Sequence, residues 1–218
     1  MEVERIKDRL KEYHEQGFKL FTTSSFQTHS IPLLHIIASA GLPIPVIFLN
    51  TGFHFPDTIR FKDRVAQELG LDILEVSSPV PRDHQLDSEG RLYFTSDPDH
   101  CCFLNKTLPM EPVLLQHDIW INGIRKEQNL NRSKMRVEET APHGVTRFHP
   151  FLDWSGKMIY AYINEHNLPR HPMDEKGYVS IGCEPCTRRV LPGDERSGRW
   201  FGMTKTECGL HTELVENR

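Results

Sequence analysis

Apolar positions along the chain follow two different spacings. Val3, Ile6, Leu10 and Tyr13 recur at helical intervals and predict an opening amphipathic helix. Phe18 to Phe21 is a short apolar run, followed by the polar stretch TTSSFQTHS. Pro32 then suits the first turn of a second helix that buries Leu33, Leu34, Ile36 and Ile37. Pro45 to Leu49 (PVIFL) has no polar position and reads as a fully buried strand ending in the loop NTGFHFP. Ile59, Phe61, Val65 and Leu69 return to the helical interval, and Ile73 to Val76 form another strand. Ile119 to Asn122 is a later strand leading into GIRKEQNLNR, and Ile159 to His166 a further helix. Strands alternating with helices predict an α/β fold, a mostly parallel sheet with helices on both faces. Beyond Pro172 the periodicity fades and Gly, Pro, Arg and Cys dominate. No repeat or internal boundary interrupts the pattern, so a single domain over 1–218 is expected, with 194–218 as a loop-rich C-terminal tail.

Charge and composition narrow the function. The chain has 218 residues and a net charge of −4, which gives no case for a general nucleic-acid surface. Any anion site must come from local arginine clustering. The N-terminal stretch MEVERIKDRLKEYHEQ is charged throughout, and no window approaches the roughly 20 apolar residues of a membrane span. A cytoplasmic protein without membrane contact is therefore expected. In that reducing compartment cysteines serve more often as metal ligands or catalysts than as disulfide partners.

The five cysteines are the sharpest chemical signal. Cys101 and Cys102 are adjacent, and Cys183-Glu-Pro-Cys186 forms a C-x-x-C far downstream. Four thiolates can saturate either a tetrahedral zinc or a four-iron cluster. Neighbouring residues rarely point both sulfurs at one metal atom without strain, whereas a cubane offers a separate iron to each. The adjacent pair thus favours iron–sulfur over zinc. The bland alternative is a buried apolar pair, since free cysteine is among the most buried residue types. Cys208 stands apart in KTECGLH, with Gly209 as a flexible joint and with Lys205 and His211 able to favour its thiolate.

These elements together resemble a known family. The CC…CEPC set, the stretch ERSGRWFGMTKTECGLH and the loops TTSSFQTHS and NTGFHFPDT resemble the thioredoxin-dependent adenylyl-sulfate (APS) and 3′-phosphoadenylyl-sulfate (PAPS) reductases, from about Phe21 to His211. The resemblance implies an adenine nucleotide α-hydrolase-like fold of the PP-loop type. It implies a [4Fe–4S] cluster on Cys101, Cys102, Cys183 and Cys186. It also implies that Cys208 attacks the sulfur of the sulfonucleotide to form an S-sulfocysteine, which reduced thioredoxin or a glutaredoxin-like donor resolves to sulfite. A covalent nucleophile divides a difficult reduction into two substitutions.

The remaining roles follow from the same resemblance. Thr23, Ser24, Ser25 and Thr28 lie in the family's modified P-loop, and the following helix N-terminus favours an anion. Thr51 and Gly52 match the adenosine-binding loop, and Gly123 and Arg125 the nucleotide-contacting G-x-R. Lys106, one helical turn after Cys102, matches the lysine beside cluster and phosphosulfate. Arg196 and Arg199 match the R-x-G-R pair that holds sulfate and phosphate, and His211 is the histidine of the catalytic tail. The loop lacks the S-G-G-x-D-S pattern of ATP pyrophosphatases, which argues against ATP cleavage. APS is the expected substrate, because cysteine-ligated clusters accompany the APS branch. PAPS or dual use is the alternative, because TTSSFQTHS resembles the cluster-free PAPS branch. A zinc-stabilised nucleotide-binding or tRNA-thiolation protein is the more remote reading. A homo-oligomer is the expected assembly.

Overall fold

The computed structural model describes residues 1–190, 196–203, 205 and 207–211. The chain runs α1 (Val3–Glu15), β1 (Leu20–Thr23), α2 (Ile31–Ala40), β2 (Val46–Leu49), α3 (Pro56–Leu69) and β3 (Ile73–Val76). It continues through α4 (Tyr93–Ser96), α5 (Pro98–Cys102), a π turn (Phe103–Thr107), α6 (Leu108–Leu114) and β4 (Ile119–Ile121). The last regular elements are α7 (Leu130–Ser133), β5 (Glu138–Thr140), β6 (Thr146–Phe148) and α8 (Gly156–Glu165). The strands form one sheet in the order β3-β2-β1-β4-β6-β5, parallel except for the β5–β6 pair. The expected α/β class is thus observed.

Alternation along the buried strands sends successive side chains to opposite faces. Leu20, Ile119, Ile121 and Phe148 pack under α1, α2 and α8, and Val46 and Phe48 under α2 and α3. Phe21, Ile47, Leu49 and Trp120 face Met110, Val113 and Leu114 of α6 on the other side. Among the described residues both faces are covered, one by four helices and the other by a single broken one.

Two features were not visible in the apolar pattern. β5 and β6 are too short and too polar to signal themselves, because β5 is a half-exposed edge. The segment 98–114 is one helical path with a π turn in its middle. Pro109 and Pro112 lack the N–H groups that would bond the carbonyls one turn earlier, which loosens the ladder there. No helix among the described residues is long and apolar enough to cross a membrane.

Candidate active site

From β1 the chain crosses to β2 on one side, whereas β4 flanks β1 on the other. The carboxyl ends of β1 and β4 therefore part at a topological switch point, where open α/β sheets bind ligands. A cleft of about 950 Å³, counted to its open mouth, lies there. Thr23, Ser24 and Ser25 line it after β1, Thr51 after β2, and Asn122 and Gly123 after β4. Lys106, Arg196, Arg199, Cys208 and His211 close its far side. The β1 loop turns sharply because Phe26 adopts a left-handed conformation, φ 54°, with its N–H donated to Ser24 Oγ at 3.0 Å.

Three expected contacts lie elsewhere. Thr28 is fully buried and its hydroxyl accepts from the His171 N–H at 2.9 Å, so it ties the loop to the core. Gly52 is exposed beside the cleft, and its carbonyl accepts from Arg82 at 3.2 Å. Arg125 is 1% exposed rather than solvated, and its guanidinium pairs with Glu127 and donates to His29 Nδ1 at 3.1 Å. These bonds support the loop after β4 from beneath.

Next to the cleft is a second pocket, lined by Cys101, Cys102, Cys183 and Cys186 with Thr51, Phe53, Phe94 and Lys106. α5 supplies the first pair of thiols, and the 3₁₀ turn Glu184–Cys186 with its N-cap Cys183 the second. An isolated bridge between His54 and Cys183 docks the second segment onto the loop after β2. Burial, followed by the other thiols, pushes Cys101 up to about 12, and Cys186 up to about 11. Thiols held this high stay protonated unless a metal takes the proton's place. Among the described residues no group of three or more His, Cys, Asp or Glu is arranged to hold a metal ion. Four sulfurs around one pocket are nonetheless a donor set able to ligate metal.

Cys208 behaves oppositely. Desolvation opposes its ionisation, but the Lys106 ammonium, a Leu210 backbone N–H and the Arg199 guanidinium outweigh it and lower the thiol below its ordinary value. Lys106 Nζ donates to Cys208 Sγ at 3.7 Å. Lys106 lines both the cleft and the thiol pocket and so joins the two.

Four cations line the cleft among the described residues, namely Lys106, Arg132, Arg196 and Arg199, against one carboxylate, Glu207. Burial and the neighbouring Arg132 bring Arg196 down to about 10 despite Glu207 beside it. Crowded cations of this kind call for a multiply charged anion. Gly198 lets the arginine pair pass close to the C-x-x-C segment. A Cβ there would stand 2.1 Å from the Arg188 carbonyl oxygen, and the Arg188 N–H already donates to the Gly198 carbonyl at 2.7 Å. Only glycine fits.

Sequence reasoning missed three residues. Arg132 of α7 donates to Glu207 from Nε at 2.8 Å and from Nη2 at 3.0 Å. Glu207 also accepts from Asn129 at 2.6 Å, from Arg196 at 3.2 Å and from the Cys208 N–H at 2.8 Å. Desolvation would raise the Glu207 carboxyl, but Arg132 holds it well below the carboxylate range. Arg147 of β6 donates to the Leu210 carbonyl at 3.2 Å and to His211 Nδ1 at 2.6 Å. The signal for Glu207 was its place in ECGLH; nothing in the sequence marked Arg147.

Known proteins resemble this chain in sequence and in fold. The profile of the phosphoadenosine phosphosulfate reductase domain matches residues 19–189. A phosphoadenosine 5′-phosphosulfate reductase of Gloeobacter violaceus is 40% identical over 200 residues, 89% of this chain and 83% of the relative. An adenosine 5′-phosphosulfate reductase of a Chelativorans species is 40% identical over 196 residues, 89% of this chain and 80% of the relative. The fold is that of a solved PAPS reductase from Candida auris in complex with phosphate, with a TM-score of 0.68 and 24% identity over 82% of this chain and 87% of that one. The chain belongs to the phosphoadenosine phosphosulfate reductase family.

Proposed function

We propose that this protein reduces adenylyl sulfate to sulfite and AMP, with Cys208 as the nucleophile. One observation carries the reading: the activated thiol lies 3.7 Å from Lys106 at the end of a cleft rich in cations. The adenosine would occupy the crevice between the β1 loop and Gly123, with its phosphosulfate among Lys106, Arg196 and Arg199. The Cys208 thiolate attacks the sulfur of the sulfo group, the bond from that sulfur to the bridging oxygen breaks, and AMP leaves with the electron pair. A dithiol donor of the thioredoxin or glutaredoxin type then attacks Cys208 Sγ and expels sulfite. Its second thiol resolves the mixed disulfide, so the donor is oxidised and Cys208 returns to the thiol.

Cys101, Cys102, Cys183 and Cys186 would hold a [4Fe–4S] cluster, which when bound supplies a fixed charge distribution beside Lys106 and ties the C-x-x-C segment to α5. Adenylyl sulfate fits better than its 3′-phosphorylated form. That choice rests on the described cations of the cleft, which gather round Cys208 and Glu207. Residues 1–218 would act as one cytoplasmic catalytic domain whose tail, 194–218, carries the nucleophile. Residues 194, 195, 204, 206 and 212–218 of that tail lie outside the described residues.

The test is sulfite formation from APS and from PAPS at equal low concentration with reduced thioredoxin, for the native chain and for Cys208→Ser. The variant is expected to release no sulfite while keeping its visible colour. Without donor, the native chain should accumulate an adduct on Cys208 of about 80 Da, the mass of SO₃. Turnover by Cys208→Ser overturns the mechanism, and preference for PAPS overturns the substrate.

A further inference from the structure

The tail segment that carries Cys208 is gripped on both sides by residues outside it. On the N-terminal side Glu207 is 3% exposed and receives the forked guanidinium of Arg132 and the Asn129 amide. On the C-terminal side Leu210 and His211 are received by Arg147. Between these grips the 3₁₀ turn Gly209–His211 is closed by the His211 N–H donating to the Cys208 carbonyl at 2.8 Å. With both ends fixed within a few residues, Cys208 has little room to leave Lys106.

Arg147 is an unusual anchor. It is fully buried on β6, between β4 and β5, and its guanidinium lies over the Trp120 ring at 4.6 Å. Trp120 is also its register partner on β4. The platform is therefore rigid, and a planar donor fork stacked on an indole is held in one orientation. Burying a guanidinium within a sheet is costly unless it meets acceptors, and here the tail supplies two of them. The contact also fixes chemistry. Arginine only donates, so His211 Nδ1 must accept, and the ring proton sits on Nε2. His211 thus presents a defined N–H donor in the cation-lined cleft.

We infer that Arg147, with the Arg132–Glu207 pair, is a two-point clamp that holds the tail closed, seating Cys208 and fixing the His211 tautomer for sulfo transfer. Arg147 is a positioning residue acting through His211. The inference deepens the reading above and rests on it for its catalytic consequence, although the closure itself can be measured without turnover.

The experiment uses the full-length protein isolated anaerobically, with Arg147→Met, Arg147→Lys and Glu207→Gln. Amide hydrogen exchange of the peptide spanning 207–211 is expected to accelerate about tenfold or more in Arg147→Met and Glu207→Gln, while β1 and α2 stay protected. In turnover, Arg147→Met should lower kcat about tenfold with a smaller change in KM, and Arg147→Lys should recover part of it. In a His211→Asn background the Arg147→Met effect on kcat should vanish, because the two act in series. Unchanged exchange in the tail peptide overturns the clamp. Additive kcat effects overturn the action through His211. If Arg147→Met fails to fold, Arg147→Lys and Glu207→Gln carry the same exchange readout. A native chain that forms no sulfite defeats the functional reading, and the exchange rates then decide the closure by themselves.

Discussion

Replacing Lys106 by glutamine isolates the interaction on which nucleophilicity depends. The ammonium lies 3.7 Å from Cys208 Sγ. A unit charge pair at that distance attracts by about 4 kcal/mol in an effective dielectric of 20. Part of this is recovered in the variant, because water enters the vacated space and because the Leu210 N–H and Arg199 still stabilise the thiolate. With half or less of the attraction lost outright, and about 1.4 kcal/mol per factor of ten, the thiolate population near neutral pH should fall by up to about 30-fold. The sign is definite: Lys106 lowers the thiol, so its removal raises it. Slowing must therefore be greatest near neutrality and disappear in alkali, where both proteins are fully ionised. The assay is the rate of Cys208 carbamidomethylation followed by peptide mass spectrometry across pH, with visible absorbance as a control for the rest of the site. Superimposable pH–rate profiles for the two proteins would refute the electrostatic account of Cys208.

Other outcomes follow from separate parts of the structure. Gly198→Ala places a methyl 2.1 Å from a backbone oxygen and should lower unfolding stability by about 1–3 kcal/mol; an unchanged denaturation midpoint would show that the segments are not packed as described. His29, His149 and His171 are buried and lowered to about 4, 3 and 4, chiefly by desolvation. Their folded values lie below the unfolded one near 6.5, so the unfolded chain binds more protons between there and about 4, and stability is lost as pH falls through that window. Urea midpoints measured from about pH 7 to about pH 4 should decline steeply, by on the order of 1 kcal/mol per pH unit per histidine at most, and His149→Gln should flatten the slope. Stripping iron with a chelator should bleach the protein. Iodoacetamide at neutral pH should then label Cys208 before Cys101 and Cys186, because burial holds the latter two at about 12 and about 11 while Cys208 is lowered. Equal labelling would contradict the contrast between the two kinds of thiol.

The fold was legible where burial is simple. PVIFL and the run ending at Phe21 announced β2 and β1, and the helical spacing of Val3 to Tyr13 announced α1, because apolar side chains with one destination leave a periodic trace. β5 and β6 left none, being short and partly exposed, and Arg147 broke the apolar pattern at a buried strand position. The π turn lies just before Pro109, whose missing N–H leaves the Asn105 carbonyl without its helical donor, a backbone effect that side-chain patterning does not register.

The sequence by itself determined the chemistry available: five thiols in two distinguishable settings, an arginine pair spaced by glycine, and a family whose motifs match. Ten of the thirteen residues expected at the cleft and tail line one cavity: five lie at or follow strand ends that converge at a switch point, and five come from the π turn and the tail on its far side. Only the tertiary structure decided that Thr28 and Arg125 are internal supports, since their solvation depends on what packs over them. Only it brought Arg132 and Arg147 from distant elements onto Glu207 and His211. Composition and spacing cannot report such pairings, because an ion pair across tens of residues leaves no local period. It exists once the chain has closed on itself and water has been excluded between its partners.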